Sequence, residues 1–364
     1  MAKFNIQRIL IAPLDWGLGH ATRCIPIIHA LQQKNYVVII ACNQVQKLLL
    51  STECTNVVFI DLEGYQIRYS KKKWWFAFKM LFQINKILFA IKNEHNWLNN
   101  IVEKYKIDLV ISDNRYGLHT QKIPCIFITH QLLVKAPFSW AEVLIQKKLY
   151  QYINRFSCVW VPDVAGENNI AGKLSHPTTL PNIPVHYIGL LSRFQNQEQV
   201  QIIYKYCFLI SGPEPQRSIL EKTIFYQLEN IQEPIVFIRG LPNCNDVLSS
   251  KNHNIVVYNH IQGNALNNII QSSEFVFSRS GYTTVMELLC MQKKAVFIPT
   301  PAQTEQEYLA EVLEERSYAP YVTQNSFQFQ TAVDLANSFN YQFSNLTSNE
   351  NDLANALHTH IQNL

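Results

Sequence analysis

The sequence predicts an α/β protein made of two doubly wound, Rossmann-like domains in succession, and three observations predict it. Short β-rich runs alternate with longer helical patterns in two separate series, as parallel sheets built from strand-helix-strand units require. A polar stretch, Ser192 to Gln201, holds four glutamines and little apolar pattern, and it separates the two series. The length of 364 residues suits two cores of ordinary size better than one.

In the first series the strands are expected at Ile9 to Ala12, Val37 to Ala41, Val57 to Ile60, Leu109 to Ser112, Cys125 to Thr129, Cys158 to Val161 and Val185 to Ile188. In the second they are expected at Tyr206 to Ile210, Val236 to Ile238, Ile255 to Tyr258, Phe275 to Phe277 and Val296 to Ile298. The domains are accordingly placed at 1–192 and 203–345, with 346–364 a terminal helix packing back on the first. Strand C-termini and helix N-termini converge where such domains face each other across a cleft, which is where a ligand is expected. There is no internal repeat.

Composition narrows the function classes. Hydrophobic residues at 48% and charged residues at 16% describe a globular chain. A net charge of +4 is too slight to make nucleic acid the expected partner. The eight cysteines are scattered without C-x-x-C or zinc spacing, as buried thiols in a reducing compartment would be. The apolar run at Arg8 to Pro13 is too short for a signal-peptide core, and none approaches the roughly 18 to 20 residues of a membrane span. A cytoplasmic protein is expected.

Three glycine turns carry the chemistry. The first strand runs into Leu14-Asp15-Trp16-Gly17-Leu18-Gly19-His20-Ala21-Thr22-Arg23, then a helix through Ile27, Ile28 and Leu31. Gly17 and Gly19 permit close backbone approach, and the helix start offers N–H groups to an anion or a sugar oxygen. No Gly-Lys-Ser/Thr follows, which removes the P-loop reading. The spacing is not G-x-G-x-x-G, and the second strand ends without an acid for a ribose, which disfavours NAD. His20 is either a catalytic base or a helix-start hydrogen-bonding residue. The second turn, Ser211-Gly212-Pro213, precedes a helix through Leu220 and Ile224 and reads either as an oxyanion pocket or as a turn capped by Ser211.

The third turn is more specific. Strand Phe275 to Ser278 leads into Arg279-Ser280-Gly281-Tyr282-Thr283-Thr284, with Glu287 one turn into the next helix. Hydroxyls and backbone N–H groups there suit a pyrophosphate, and Glu287 can accept both hydroxyl protons of a ribose. One strand later comes Pro299-Thr300-Pro301-Ala302-Gln303-Thr304-Glu305-Gln306-Glu307, whose amides and carboxylates suit sugar hydroxyls. Two donor turns at successive strand ends point to one nucleotide-sugar pocket.

On these residues the chain resembles the GT-B glycosyltransferases of family 28, most closely over Ser278 to Glu287 and Phe297 to Gln306. Gly17-Leu18-Gly19-His20 resembles a shortened form of that family's glycine turn. An uncharacterised bacterial branch is also similar through Ile111-Ser112-Asp113-Asn114-Arg115-Tyr116-Gly117, Thr129-His130-Gln131-Leu132 and Val161-Pro162-Asp163. The resemblance implies a GT-B fold and a hexosyltransferase using a UDP-linked donor without any other cofactor. It puts the ribose on Glu287, the diphosphate near Ser280 to Thr284 and Ser211-Gly212, and the donor sugar on Gln303 and Gln306. Arg279, Gly281, Thr283, Gly17 and Gly19 complete the expected donor contacts. Asp15-Trp16 and the prolines after Gly212 depart from the family pattern and leave the acceptor geometry open.

No Asp-x-Asp pair is placed to hold a diphosphate-bound cation, so transfer without an obligatory metal is expected, helix N-termini stabilising the leaving group. His20 or Asp113 would deprotonate the acceptor hydroxyl, with His130 as a wall residue. A UDP-sugar epimerase or hydrolase of the same fold, and a non-catalytic nucleotide-sugar-binding subunit, are the alternatives.

Lys71-Lys72-Lys73-Trp74-Trp75 opens a helical pattern running to Trp97. At about 100° per residue Lys72, Lys79, Gln83, Lys86 and Asn93 form a narrow stripe, while Trp74, Phe78, Leu81, Phe82, Leu88 and Phe89 fill most of the rest. Two readings stand: a helix clamped between the sheet and a loop, or a surface for anionic headgroups and a lipid-linked acceptor at the inner face of the cytoplasmic membrane.

Overall fold

The computed structural model describes residues 6–65, 73–135, 139–194, 196, 200–242, 244–246, 248–346 and 351–361. Lys71 and Lys72, and the side chains of 73–84, lie outside the described residues. The chain divides into two compact units: the first joins Met1–Arg193 to Thr347–Leu364, and the second is Phe194–Leu346.

In the first unit β1 (Arg8–Pro13), β2 (Val37–Cys42), β3 (Val58–Asp61), β4 (Leu109–Asp113), β5 (Cys125–Ile128), β6 (Cys158–Val161) and β7 (Val185–Tyr187) form one sheet in the order β3-β2-β1-β4-β5-β6-β7. Every pairing is parallel. Central strands such as Leu109–Asp113 are buried throughout, which explains why they read as continuous apolar runs rather than alternating ones. The order in which strands are added reverses between β1 and β4, whose parallel register sets Pro13 beside Asp113.

Helices α1 (Leu18–Gln33) and α2 (Gln44–Glu53) follow β1 and β2. In α1 the expected apolar positions Ile27, Ile28 and Leu31 are all buried. Helix α3 (Lys73–Tyr105) is the basic aromatic segment. Within the segment read as basic and aromatic, Ile91 joins a small cluster with Leu14 and Tyr65 while Leu88 and Phe89 are exposed; beyond it Leu98 and Val102 enter the main core. Helix α4 (Ser139–Ile153) sends Tyr152 to that same small cluster. The helix spanning Asn351–Ile361, called α10 below, belongs to this unit and buries Ala356, Leu357 and Ile361.

The second unit has β8 (Tyr204–Leu209), β9 (Ile235–Ile238), β10 (Ile255–Tyr258), β11 (Ser273–Ser278) and β12 (Ala295–Phe297) in the order β10-β9-β8-β11-β12. Again all pairings are parallel. Helices α5 (Gln216–Gln227), α6 (Gly263–Gln271), α7 (Tyr282–Cys290), α8 (Thr304–Glu315) and α9 (Phe329–Ser338) cover it. One core gathers Leu220 and Ile224 of α5 with Phe208, Phe237, Phe275 and Phe277. Here that order reverses between β8 and β11, so the turns after those strands meet at one point of the sheet edge.

All eight cysteines are free thiols, and six of them are buried.

Candidate active site

The first cluster sits at the C-terminal ends of β1 and β4. Gly17 starts α1 with φ 89°, a left-handed conformation that favours glycine, and it supplies no side-chain cap. The preceding loop is pinned from three sides. Gln46 Nε2 donates to the Leu14 carbonyl (2.7 Å), the Tyr65 N–H donates to Asp15 Oδ1 (3.1 Å), and Arg115 Nη1 donates to the Pro13 carbonyl (3.2 Å). His20 then stands in the first turn of α1, 16% exposed, with Nδ1 3.1 Å from Asp113 Oδ2.

Asp113 is 0% exposed. Asp113, expected as an alternative base, thus stands wholly buried, with its carboxylate turned to His20 and Arg23. Burial pushes its carboxyl up, but the opposing Arg23 and His20 outweigh that and hold it down at about 2. Arg23 Nε donates to Asp113 Oδ2 (2.8 Å) and Arg23 Nη2 to Oδ1. Arg23 Nη1 lies 3.1 Å from His130 Nδ1. A guanidinium can only donate, so this nitrogen of His130 accepts.

His20 Nδ1 has two neighbours of opposite kind, Asp113 Oδ2 at 3.1 Å and Arg23 Nη2 at 2.8 Å. With its proton on Nδ1 the ring donates to Asp113 and leaves the Nε2 lone pair for a substrate proton. With its proton on Nε2 it accepts from Arg23 and is no base. The sequence reading named His20, Asp113 and His130 but missed Arg23. Its spacing of three residues from His20 on a helix placed both on one face and was the available signal.

Behind this cluster lies a second buried group that the sequence did not reveal. Arg115 Nε donates to Glu94 Oε1 (2.7 Å), and the Tyr65 hydroxyl and Gly117 N–H donate to Glu94 Oε2 (2.8 and 3.1 Å). Arg115 Nη2 also donates to the Glu63 carbonyl. Burial raises the Glu94 carboxyl and Arg115 opposes that rise. Glu94 belongs to α3, so the aromatic helix is tied through Arg115 to the loop that leads to His20. Asp163 has an organising role of its own: its carboxylate accepts from the N–H groups of Val164, Ile170 and Ala171 and from the Ser175 hydroxyl.

In the second unit the expected donor residues gather at the β8/β11 reversal. Ser211 and Gly212 are exposed after β8, and Gly212 has φ 110°. Helix α5 begins only at Gln216 after Pro215, so Ser211 is not its cap. A Cβ on Gly212 would lie 3.6 Å from Thr300 Oγ1 and 3.8 Å from Arg279 Nε, which places the turns after β8, β11 and β12 in contact. Gly281 precedes α7 with ordinary φ −71°, and nothing stands within 4 Å of where its Cβ would be, so the backbone is open to approach.

Arg279, expected as a donor contact, is turned mostly inward, and only its Nε faces the turn at Gly212. Its side chain is 1% exposed, and Nη1 donates to the Ile298 and Pro299 carbonyls while Nη2 donates to the Gln216 carbonyl and Gln324 Oε1. It braces the loops, and burial lowers its guanidinium to about 10. Its Nε, together with the buried Thr300 Oγ1, has no hydrogen-bond partner among the described residues. Both atoms border Gly212, and a buried unpaired donor beside a buried hydroxyl favours an anionic oxygen there.

Ser280 Oγ donates to the Gln306 carbonyl (2.8 Å), Gln306 Oε1 accepts from the Thr300 N–H (2.9 Å), and Gln306 Nε2 donates to Gln303 Oε1 (2.6 Å). The two glutamines expected to grip the sugar are thus joined to each other, Gln306 as the inner one. Thr283 and Thr284 are half-buried at the α7 start, and Glu287 is buried one turn on. Gln324 is the residue here that the sequence reading left out, while Thr300 was quoted in its loop without a role of its own.

Comparison with known proteins follows the same lines. Residues 227–361 match the Glycosyltransferase family 28 C-terminal domain. Over 87 residues the chain is 36% identical to the UDP-N-acetylglucosamine--N-acetylmuramyl-(pentapeptide) pyrophosphoryl-undecaprenol N-acetylglucosamine transferase of Buchnera aphidicola subsp. Schizaphis graminum, a match spanning 23% of this chain and 25% of that relative. Among solved structures, the glycotransferase of kitacinnamycin superposes with a TM-score of 0.67 over 98% of this chain and 96% of its own at 12% identity. MurG of Acinetobacter baumannii does so with a TM-score of 0.57 over 99% and 100% at 14% identity. Such identities show the fold.

Proposed function

From the premise that this chain has the GT-B fold and carries a glycosyltransferase family 28 C-terminal domain, we propose that it is a glycosyltransferase moving a hexose-type sugar from a UDP-sugar to a lipid-linked acceptor hydroxyl. The observation that carries the reading is the His20–Asp113 pair at the strand reversal of the first unit. A partly exposed imidazole backed by a buried carboxylate is the arrangement that accepts a proton from an attacking hydroxyl while the carboxylate supports the imidazolium.

In this proposal His20 Nε2 takes the acceptor proton as the hydroxyl oxygen attacks the anomeric carbon and the bond to the diphosphate breaks. The departing UDP is stabilised by Ser211-Gly212, Arg279 Nε, Thr300 Oγ1 and the α7 start, with Glu287 on the ribose and Gln303 and Gln306 on the sugar. Fixed donors of this kind supply charge stabilisation directly, so the proposal includes no obligatory metal and no further cofactor. The UDP-sugar and the lipid-linked acceptor are taken from the curated relative, whose name specifies both.

We place the reaction at the cytoplasmic face of a membrane. Among the described residues no helix is long and apolar enough to cross a membrane. Support for surface contact comes from Phe89 of α3 and from Trp140, Val143 and Leu144 of α4, all exposed, with Lys147 and Lys148 one turn further along α4. Co-sedimentation with vesicles of anionic lipid but not with neutral ones tests this part.

The donor reading is tested by thermal shift with UDP-, GDP- and dTDP-sugars, since a ligand that binds the folded state raises apparent stability. Stabilisation by a UDP-sugar that Glu287→Ala abolishes is the expected result. No stabilisation by any nucleotide sugar at millimolar concentration would refute it.

A further inference from the structure

We propose that the gap bordered by Gly212, Arg279 Nε and Thr300 Oγ1 in the second unit is an oxyanion site that takes a phosphoryl group and fills with inorganic phosphate when no donor is bound. Free phosphate then competes with the donor. The competition rests on the donor reading above; the phosphate site does not.

The other buried arginines set the standard. Among the described residues five arginines are buried, and four of them face carboxylates: Arg23 has Asp113, Arg115 has Glu94, Arg217 has Glu214 and Glu221, and Arg239 has Glu221. Arg279 differs. It is 1% exposed, and its two Nη nitrogens donate to the Ile298, Pro299 and Gln216 carbonyls and to Gln324 Oε1, all of them neutral acceptors. Glu214 and Glu307 in the adjoining turns are engaged elsewhere, the first accepting from Arg217 and Ser218 and the second from the Ala302 N–H. A guanidinium keeps its charge at such a site, and a buried charge without a counterion is costly. A ligand can supply the negative charge that the neighbouring side chains do not.

The opening is placed to receive it. The remaining guanidinium hydrogen, on Nε, has no partner among the described residues, and neither has Oγ1 of Thr300, a residue 1% exposed. Gly212 is exposed, and a Cβ there would lie 3.6 Å from Thr300 Oγ1 and 3.8 Å from Arg279 Nε, so an atom entering past Gly212 comes into contact with both. A neutral hydroxyl would meet the hydrogen bonds and leave the charge. Chloride would meet the charge without offering two separate acceptor oxygens. A phosphoryl group does both: one oxygen accepts from Nε, another accepts from the Thr300 hydroxyl, and its charge opposes that of the guanidinium.

The test is equilibrium dialysis of the full-length chain against radiolabelled inorganic phosphate in chloride buffer of constant ionic strength. The expected result is saturable binding of a single phosphate per chain, half-complete at about 1 mM or below. Thr300→Val should weaken it about tenfold, and UDP should displace it. No saturable binding up to about 10 mM, or binding unchanged in Thr300→Val, overturns the proposal. Should Thr300→Val fail to fold by circular dichroism, Gly212→Ala, whose Cβ enters the gap, is read instead; it should weaken binding by a similar factor, and unchanged binding overturns the proposal. Phosphate bound in a Thr300-dependent way but displaced by neither UDP nor any nucleotide sugar refutes the donor reading and the competition. A chain stabilised by a UDP-sugar that binds no phosphate refutes only the phosphate site.

Discussion

Replacing Asp113 by Asn keeps the shape of the side chain and removes its charge, and the structure fixes how much that should matter. The carboxyl is held at about 2 in the folded chain against an ordinary value near 3.8. At about 1.4 kcal/mol per unit this difference corresponds to about 2 kcal/mol of stability at neutral pH. A depressed carboxyl contributes stability that is fully present above its unfolded value and is lost as pH falls from about 4 through about 2. Removing the charge also leaves Arg23, 2% exposed, without its counterion, and breaking a buried pair from one side costs about 3–5 kcal/mol. Asp113→Asn should therefore destabilise the first unit by about 2 to 5 kcal/mol at pH 7. All six tryptophans (16, 74, 75, 97, 140 and 160) lie in that unit, so urea unfolding followed by tryptophan fluorescence reports it without the second. A loss below about 0.5 kcal/mol would refute the ion-pair argument, since surface substitutions alone produce changes of that size.

His20→Ala should leave the affinity for a UDP-sugar within about twofold and slow transfer by about 10²–10⁴, measured as UDP release with acceptor present. Thr300→Val removes a buried hydroxyl that has no hydrogen-bond partner among the described residues, so a melting curve should show an equal or slightly higher Tm while isothermal titration shows about tenfold weaker donor binding. Arg115→Met leaves Glu94 buried without its cation and should lower stability by about 3–5 kcal/mol in the same fluorescence-detected unfolding. A milder effect there would mean that the carboxyl, already raised by burial, simply takes up a proton.

Much of this architecture was legible because it rests on local rules. Runs such as Leu109–Asp113 are buried on both faces, so burial wrote itself into the sequence as uninterrupted apolar residues. The strand-turn-helix passage after β1 was legible for a similar reason, since Gly17 takes a left-handed φ of 89° that other residues adopt only with strain. What stayed hidden depended on distant pairing. Arg23 and Asp113 are ninety positions apart, and Glu94 finds Arg115 only because α3 crosses back over the sheet. Single residues such as Arg279 were read for their chemistry rather than their depth. Nothing in the local sequence says that its guanidinium turns inward to four carbonyl-type oxygens. The aromatic helix divided along the same line: its later half is explained by packing around Ile91, Leu98 and Val102, while Phe89 on the same helix remains exposed.

The helix α10 has a consequence for how the chain is made. It belongs to the first unit and packs against α1, the helix that carries His20 and Arg23, yet the whole second unit lies between them in the chain. A ribosome therefore delivers most of the first unit early and this closing piece only after the second unit. During that interval the surface of the first unit that buries Leu357 and Ile361 stands uncovered, a long-range closure of the kind that slows folding and invites chaperone binding. No single cut can then yield both units whole, and a peptide of residues 347–364 added in trans is the reagent that should restore a chain shortened at 346.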